Sequence, residues 1–364
     1  MKNDIVEREV FLEDHINTMW VWIPRYEYMY TNLGDQYTDG TQLQPGEIKV
    51  NFLSGTSTMT SDFANYKVHP AFTFGSDELT GIWFGKFETG GTLRNACTNE
   101  SCDVSNIVIK PNVKSLTSQT VSSFFYATRS MQMNTSNPYG FSSTTGNLHM
   151  TKNSEWGAVA YLSQSKFGKY GNSNYTSTNK EVAINNCNSH MTGIDGDTVN
   201  SPASNTTCTT NTYETKKGQS ASTTGNITGV YDMSGGAGEY VMGVLADDSG
   251  VPRSGYNNSY NSGFNGSLSS GSYSTGVNFP EAKYYDLYTS EDVSTACNGG
   301  VCYGHALSGT AGWYQDYQDF INSDYPWFVR GGVWDNAMNA GIFYFNDAYG
   351  RAYDHYASRA VITR

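Results

Sequence analysis

Charge is scarce in this chain. Only 15% of its 364 residues are Asp, Glu, Lys or Arg, and the balance is acidic, −12 at pH 7. No run of Lys and Arg interleaved with aromatics occurs, so phosphate-backbone binding, and nucleic acid as a partner, are not expected. Long apolar runs are missing too. Residues 1–19 (MKNDIVEREVFLEDHINTM) hold none that would serve as a signal peptide or a membrane span, so no membrane contact by this segment is expected. Histidine is thin: positions 15, 69, 149, 190, 305 and 355, without an H-x3–4-H pairing, which favours isolated imidazoles over a metal centre. No G-x-S-x-G elbow and no G-x4-G-K-[ST] loop appears, and SGGAG lacks the Lys that phosphate binding favours. The expectation is therefore no catalysis, no cofactor and no functional metal.

What is present is aromatic and polar. Hydrophobic residues make up 38% and aromatics 14%, with 27 Tyr and 7 Trp. That suffices for a core. The surface must then be built from Ser, Thr, Asn, Tyr and Gly, as in extracellular or particle-bound proteins. Six cysteines stand at 97, 102, 187, 208, 297 and 302. Cys97–Cys102 and Cys297–Cys302 share the spacing C-x4-C; zinc sites and free thiols are the alternatives, but only His305 lies near either pair, and local disulfide loops are preferred, with Cys187–Cys208 as a third bridge. Disulfides imply an extracellular, cell-surface or phage-particle location. With no export signal in these residues, either an upstream export or anchor segment or assembly onto a phage particle released by lysis would bring the chain there.

Along the chain, MWVWIPRYEYMY alternates up to Pro24 and reads as a strand, as does GIWFGKFETG, closed by glycines. Val113 to Ser130 reads as an amphipathic helix. Met150 to Gly168 reads as the best one, with Trp156, Val159, Ala160 and Leu162 or Ser163 on one face and Gly168 as a stop. Residues 170–228 and 246–276 show little periodicity and read as long insertions. A short N-terminal extension, 1–17, precedes one α+β domain, 18–364.

The segment Trp327 to Arg364 carries the most information. Arg330, Gly331, Gly332, Trp334, Gly341, Phe343, Phe345 and Arg359 form a glycine, aromatic and arginine framework. Interleaved are Asp335, Asn336, Asn339, Tyr344, Asn346, Asp347, Ala348, Tyr349, Ala352, Tyr353, Asp354, His355 and Tyr356, a composition favoured on recognition loops. Alternation in AGIFYFNDAYG points Ile342 or Phe343, with Phe345, inward, and Tyr344 and Asn346 outward. Tyr344, Tyr349, Tyr353 and Tyr356 would be rigid anchors. Asn346, Asp347, Asp354 and His355 would add directional contacts. Arg330 and Arg359 read as framework residues bonding carboxylates or carbonyls, and Trp327 and Trp334 as core.

Four blocks, GIWFGKFE (81–88), MTKNSEWGAVAYLS (150–163), TGNITGVYDMSGGAGEYVMG (224–243) and RGGVW…SRAVIT (330–363), together resemble the C-type lectin fold of the formylglycine-generating-enzyme type. The third block keeps Gly229, Tyr231, Asp232, Met233, Gly235 and Glu239, but has Gly236, Gly238 and Tyr240 where that family has an Asn and two Trp. The resemblance implies the fold, with long irregular insertions, and three functions. The formylglycine-generating oxidase needs a copper-binding cysteine pair in the last block, yet residues 303–364 contain no cysteine. The iron-dependent sulfoxide synthases need clustered His. The third is similar to the variable proteins of diversity-generating retroelements, which display a diversifiable C-terminal surface on this fold, here 327–364. The residues interleaved there are nearly all types that adenine-directed mutagenesis reaches. This implies a receptor or adhesin whose partner is a protein or glycan on another cell or particle. A fixed-ligand lectin-like or structural surface protein is the alternative. Glu239 could help hold a structural cation, as the equivalent turn does in some relatives.

Overall fold

Pro24 divides the first apolar segment, because proline has no N–H to donate to a ladder. In the computed structural model, which describes residues 16–31, 45–58, 66–141, 144, 146–169, 181–196, 206, 208–291, 302–307 and 309–363, that segment forms two strands, β1 (Trp20–Pro24) and β2 (Tyr26–Thr31). Between them Arg25 is buried and donates to the carbonyls of Phe72 and Leu79. β2 pairs antiparallel with β3 (Glu47–Phe52).

The molecule is α+β, mostly strands with two α-helices among the described residues. One four-stranded antiparallel sheet runs β1, β4 (Gly81–Gly85), the C-terminal strand Ala360–Thr363 and β5 (Asn147–Met150). The strand Ala360–Thr363 is thus an interior strand of this sheet, between β4 and β5. The second sheet is built on β6 (Gly238–Leu245), all of whose residues are buried, as expected of a strand covered on both faces. Its order is β7 (Asp286–Tyr288), β6, β8 (Trp327–Gly331), β9 (Gly341–Ala348), with β10 (Tyr356–Ser358) also on β6; the C-terminal strand of the first sheet is β11. The β6–β7 and β6–β10 pairs are parallel, and β6–β8 and β8–β9 antiparallel.

Helix α1 spans Val121–Met133, with the Thr120 side chain capping Ser123 N–H. It starts later than its periodicity suggests, because Lys114 and Ser115 are taken by bridges to Met191 and Gly90. Helix α2 spans Asn153–Gln164. It is buried nearly all round, with only Leu162 part-exposed; the one-faced amphipathic expectation was too modest for a helix packed against β3, β6 and the Pro70–Phe72 turn. Trp156 donates its indole N–H to the Ile342 carbonyl at 2.8 Å, tying α2 to β9.

The 246–276 stretch is not irregular. It carries a small four-stranded sheet of Arg253–Asn257, Tyr260–Asn261, Gly266–Leu268 and Ser272–Tyr273. Its strands are Ser-, Gly- and Asn-rich, so backbone pairing and tyrosine contacts supply what apolar alternation normally signals. Of 170–228, residues 170–180, 197–205 and 207 lie outside the described residues.

Cys187 and Cys208 are bonded, 21 residues apart in sequence, which fits an extracellular protein. Cys302 is also disulfide-bonded; Cys297, its expected partner, lies outside the described residues. The expected Cys97–Cys102 bridge is corrected: both are free thiols. Serines of α1 hold their backbones, Cys97 N–H on Ser123 Oγ at 3.0 Å and Cys102 N–H on Ser130 Oγ at 3.1 Å. Burial and the adjacent Cys102 push the Cys97 thiol up, away from the reactive thiolate.

Candidate ligand-binding recess

The last block divides into buried framework residues and exposed or part-exposed residues between them. Arg359 is buried and donates to both Glu239 oxygens and to the carbonyls of Gly85 and Tyr231. Glu239, considered for a cation, is thus engaged by a guanidinium. Glu88 and Asp232 are buried beside this pair, and burial raises all three carboxyls, Glu239 to about 7. Arg330 donates to the carbonyls of His305 and Ala306 at 3.2 and 3.0 Å. Trp327 is buried, lies parallel to Phe279 at 5.9 Å, and donates to Ser254 O at 3.0 Å. Trp334, expected in the core, is only part-buried.

The segment from Tyr349 to His355 leaves β9 over this floor. At Gly350 φ is +84°, and a Cβ there would lie 2.6 Å from the Trp327 ring, so the turn is closed to other residues. Four backbone carbonyls fix the segment's path. Gly350 O accepts from Val121 N–H at 3.1 Å, and Arg351 O from the Tyr240 hydroxyl at 3.0 Å. Tyr353 O accepts from Ser118 N–H at 2.8 Å, and His355 O from Gly238 N–H at 2.9 Å. The main chain is anchored, so the side chains need not hold the loop.

Beside it opens a recess of about 560 Å³. Six of the expected positions line it: Asn346, Asp347, Ala348, Tyr349, Tyr353 and Tyr356. Ala352, Asp354 and His355 lie on the adjoining loop, where Asp354 and His355 bond each other at 2.9 Å. Asp335, Asn336 and Asn339 lie apart on the β8–β9 connection; Asp335 and Asn339 are exposed, while Asn336 accepts Val333 N–H at 2.9 Å and shapes the turn.

Two expectations need correcting. Tyr344 is 8% exposed and Ala348 4%, so neither is an open contact position. Tyr344 was placed outward by alternation, but Tyr317 covers that face at a ring separation of 6.0 Å. Phe343 and Phe345 are buried as expected.

The remaining wall escaped the sequence reading. Tyr317, Asp319, Asn322 and Tyr325 also line the recess. They come from DYQDFINSDY, which has the composition of the tail but lies upstream of it; that likeness was the available signal. Buried Phe320 and Ile321 anchor the segment, and backbone bonds join Asp319 N to Phe345 O and Phe345 N to Tyr317 O. Asn322 donates to Asp347 at 2.6 Å, and the Tyr349 and Tyr325 hydroxyls bond at 2.9 Å. Tyr260 of the small sheet packs on Tyr349 at 5.1 Å. Burial first, then the Asp319 charge, push the Asp347 carboxyl up to about 6.

Among the described residues, no group of three or more His, Cys, Asp or Glu could hold a metal ion, and no helix is long and apolar enough to cross a membrane. No protein-family model and no curated protein matches this chain.

Proposed function

We propose that this chain is a ligand-binding protein, a receptor or adhesin without catalysis, that presents the recess and its adjoining loop to a partner on another cell or particle. The reading includes display outside the cell, on a cell surface or a phage particle. It also includes the finer fold assignment, a C-type lectin fold of the formylglycine-generating-enzyme type, and diversification of the displayed positions as in the variable proteins of diversity-generating retroelements. Support for the fold comes from the four sequence blocks, which supply β4 and β11 of one sheet, β6 and the end of β8 of the other, and α2.

The observation that carries the functional reading is the division of labour in the tail. Its main chain is bonded to α1, β6 and Ser118 through carbonyls, which every residue type possesses, while its tyrosyl and polar side chains line open space. A surface held by backbone tolerates side-chain exchange. Tyrosine adds large contact area at low entropy cost.

Sequencing the 3′ coding end and its flanking DNA from independent isolates tests this. Substitutions should concentrate at Asp335, Asn339, Asn346, Asp347, Tyr349, Ala352, Tyr353, Asp354, His355 and Tyr356, with Trp327, Arg330, Tyr344 and Arg359 constant. A near-repeat differing at adenines, beside a reverse transcriptase, should lie nearby. Invariant recess positions without such a repeat would leave a fixed-ligand lectin-like protein in its place.

A further inference from the structure

The recess is acidic and aromatic, and no lysine or arginine is among its described lining residues. Asp319 and Asp347 both face it, and their charges oppose each other. Tyr317, Tyr325, Tyr349, Tyr353 and Tyr356 supply the rest of its walls.

We infer that this recess takes an alkylammonium group, the end of a lysine side chain on a protein partner. The inference rests on the ligand-binding reading above and names the chemistry of its ligand. Two like charges at the edge of a partly desolvated site are costly until a cation joins them. Tyrosine faces attract a cation through the ring quadrupole. The neighbouring Arg351 already uses that mode, with its guanidinium 4.2 Å from the ring centres of both Tyr260 and Tyr353. The recess volume, about 560 Å³, accommodates an alkyl stem with its ammonium. The chain's net charge of −12 also draws basic partners toward it. A neutral sugar would find the same tyrosines and amides but leave the carboxylates uncompensated. An anion would be repelled.

The test is calorimetric titration of the whole chain with Nα-acetyl-lysine methylamide, its uncharged counterpart Nα-acetyl-norleucine methylamide, tetramethylammonium chloride, and methyl α-mannoside. The lysine and tetramethylammonium probes should bind, and the norleucine probe should bind roughly tenfold more weakly than lysine. The double variant Asp319→Asn/Asp347→Asn should lose about tenfold in lysine affinity, while Asp77→Asn, an exposed carboxylate that is not among the recess residues, should change it less than about twofold. Asn at 347 still accepts from Asn322, and circular dichroism checks the fold. Should that variant unfold, Tyr353→Leu serves instead, with a severalfold loss expected. Equal binding of norleucine and lysine, or unchanged lysine binding by the folded variants, overturns the inference. So does a wild-type protein that takes none of the probes. Binding of the mannoside alone overturns the ammonium assignment while leaving the ligand-binding reading standing.

Discussion

Tyr344 and Tyr349 belong to one segment and have opposite duties. Tyr344 is sealed under Tyr317, whereas Tyr349 is part-exposed, its hydroxyl bonded to Tyr325 and its ring resting on Tyr260 and Tyr325. Truncating the first removes core; truncating the second removes surface. Tyr344→Ala should therefore cost about 3 kcal/mol in urea denaturation, and Tyr349→Ala or Tyr353→Ala less than about 1 kcal/mol each. Comparable losses at all three would make the recess part of the core. Alternation assigned Phe343 and Phe345 correctly and Tyr344 wrongly, for one reason: period-2 reading assumes that one strand face meets solvent. A segment upstream in sequence supplies the lid, and nothing local to β9 announces it. The two framework arginines each meet several acceptors once buried, Arg330 the carbonyls of His305 and Ala306 and Arg359 the Glu239 carboxylate and the carbonyls of Gly85 and Tyr231.

At the scale of elements, what could be read depended on how much of the signal was local. Strands β1 and β4 and helix α2 carry their periodicity in their own residues and form within the stretches it marked, β4 ending at Gly85 and α2 running Asn153–Gln164. The 246–276 sheet did not, since polar strands held by backbone ladders and stacked tyrosines leave no apolar alternation. Its oversight also hid Tyr260, which buttresses Tyr349. The pairing of cysteines by proximity in sequence succeeded for Cys187–Cys208 and failed for Cys97–Cys102, where the α1 serines hold the backbones of both residues. The recess is the joint product of β9, the loop after it and the 317–325 segment. Six of its ten lining residues were legible from the tail; the other four required knowing that Phe345 shares backbone bonds with Tyr317 and Asp319.

Across the whole molecule, buried carboxyls recur among the described residues. Burial raises Glu239 to about 7, Asp316 to about 8 and Glu181 to about 9. A carboxyl raised in the folded state binds its proton more tightly there than in the unfolded chain. Its stabilisation is complete below the unfolded value near 4 and is lost as pH rises through the folded one. The melting temperature should thus fall between pH 7 and pH 9, by about 5 °C or more. Buried His69 and His305 have lowered values and lose stability as pH falls below about 6.5, which flattens the acid side. A melting temperature that climbs from pH 7 to pH 9 would mean that these carboxyls are ionised and paired in the fold. The proposed tolerance of the exterior rests on the same interior, because the tail's carbonyls are bonded to α1, β6 and Ser118. The most direct measurement is the thermal melting of a library randomised together at Asn346, Tyr349, Ala352, Tyr353, Asp354 and His355. The account predicts that most members fold and melt within about 5 °C of the parent; a library in which most members fail to fold would contradict it.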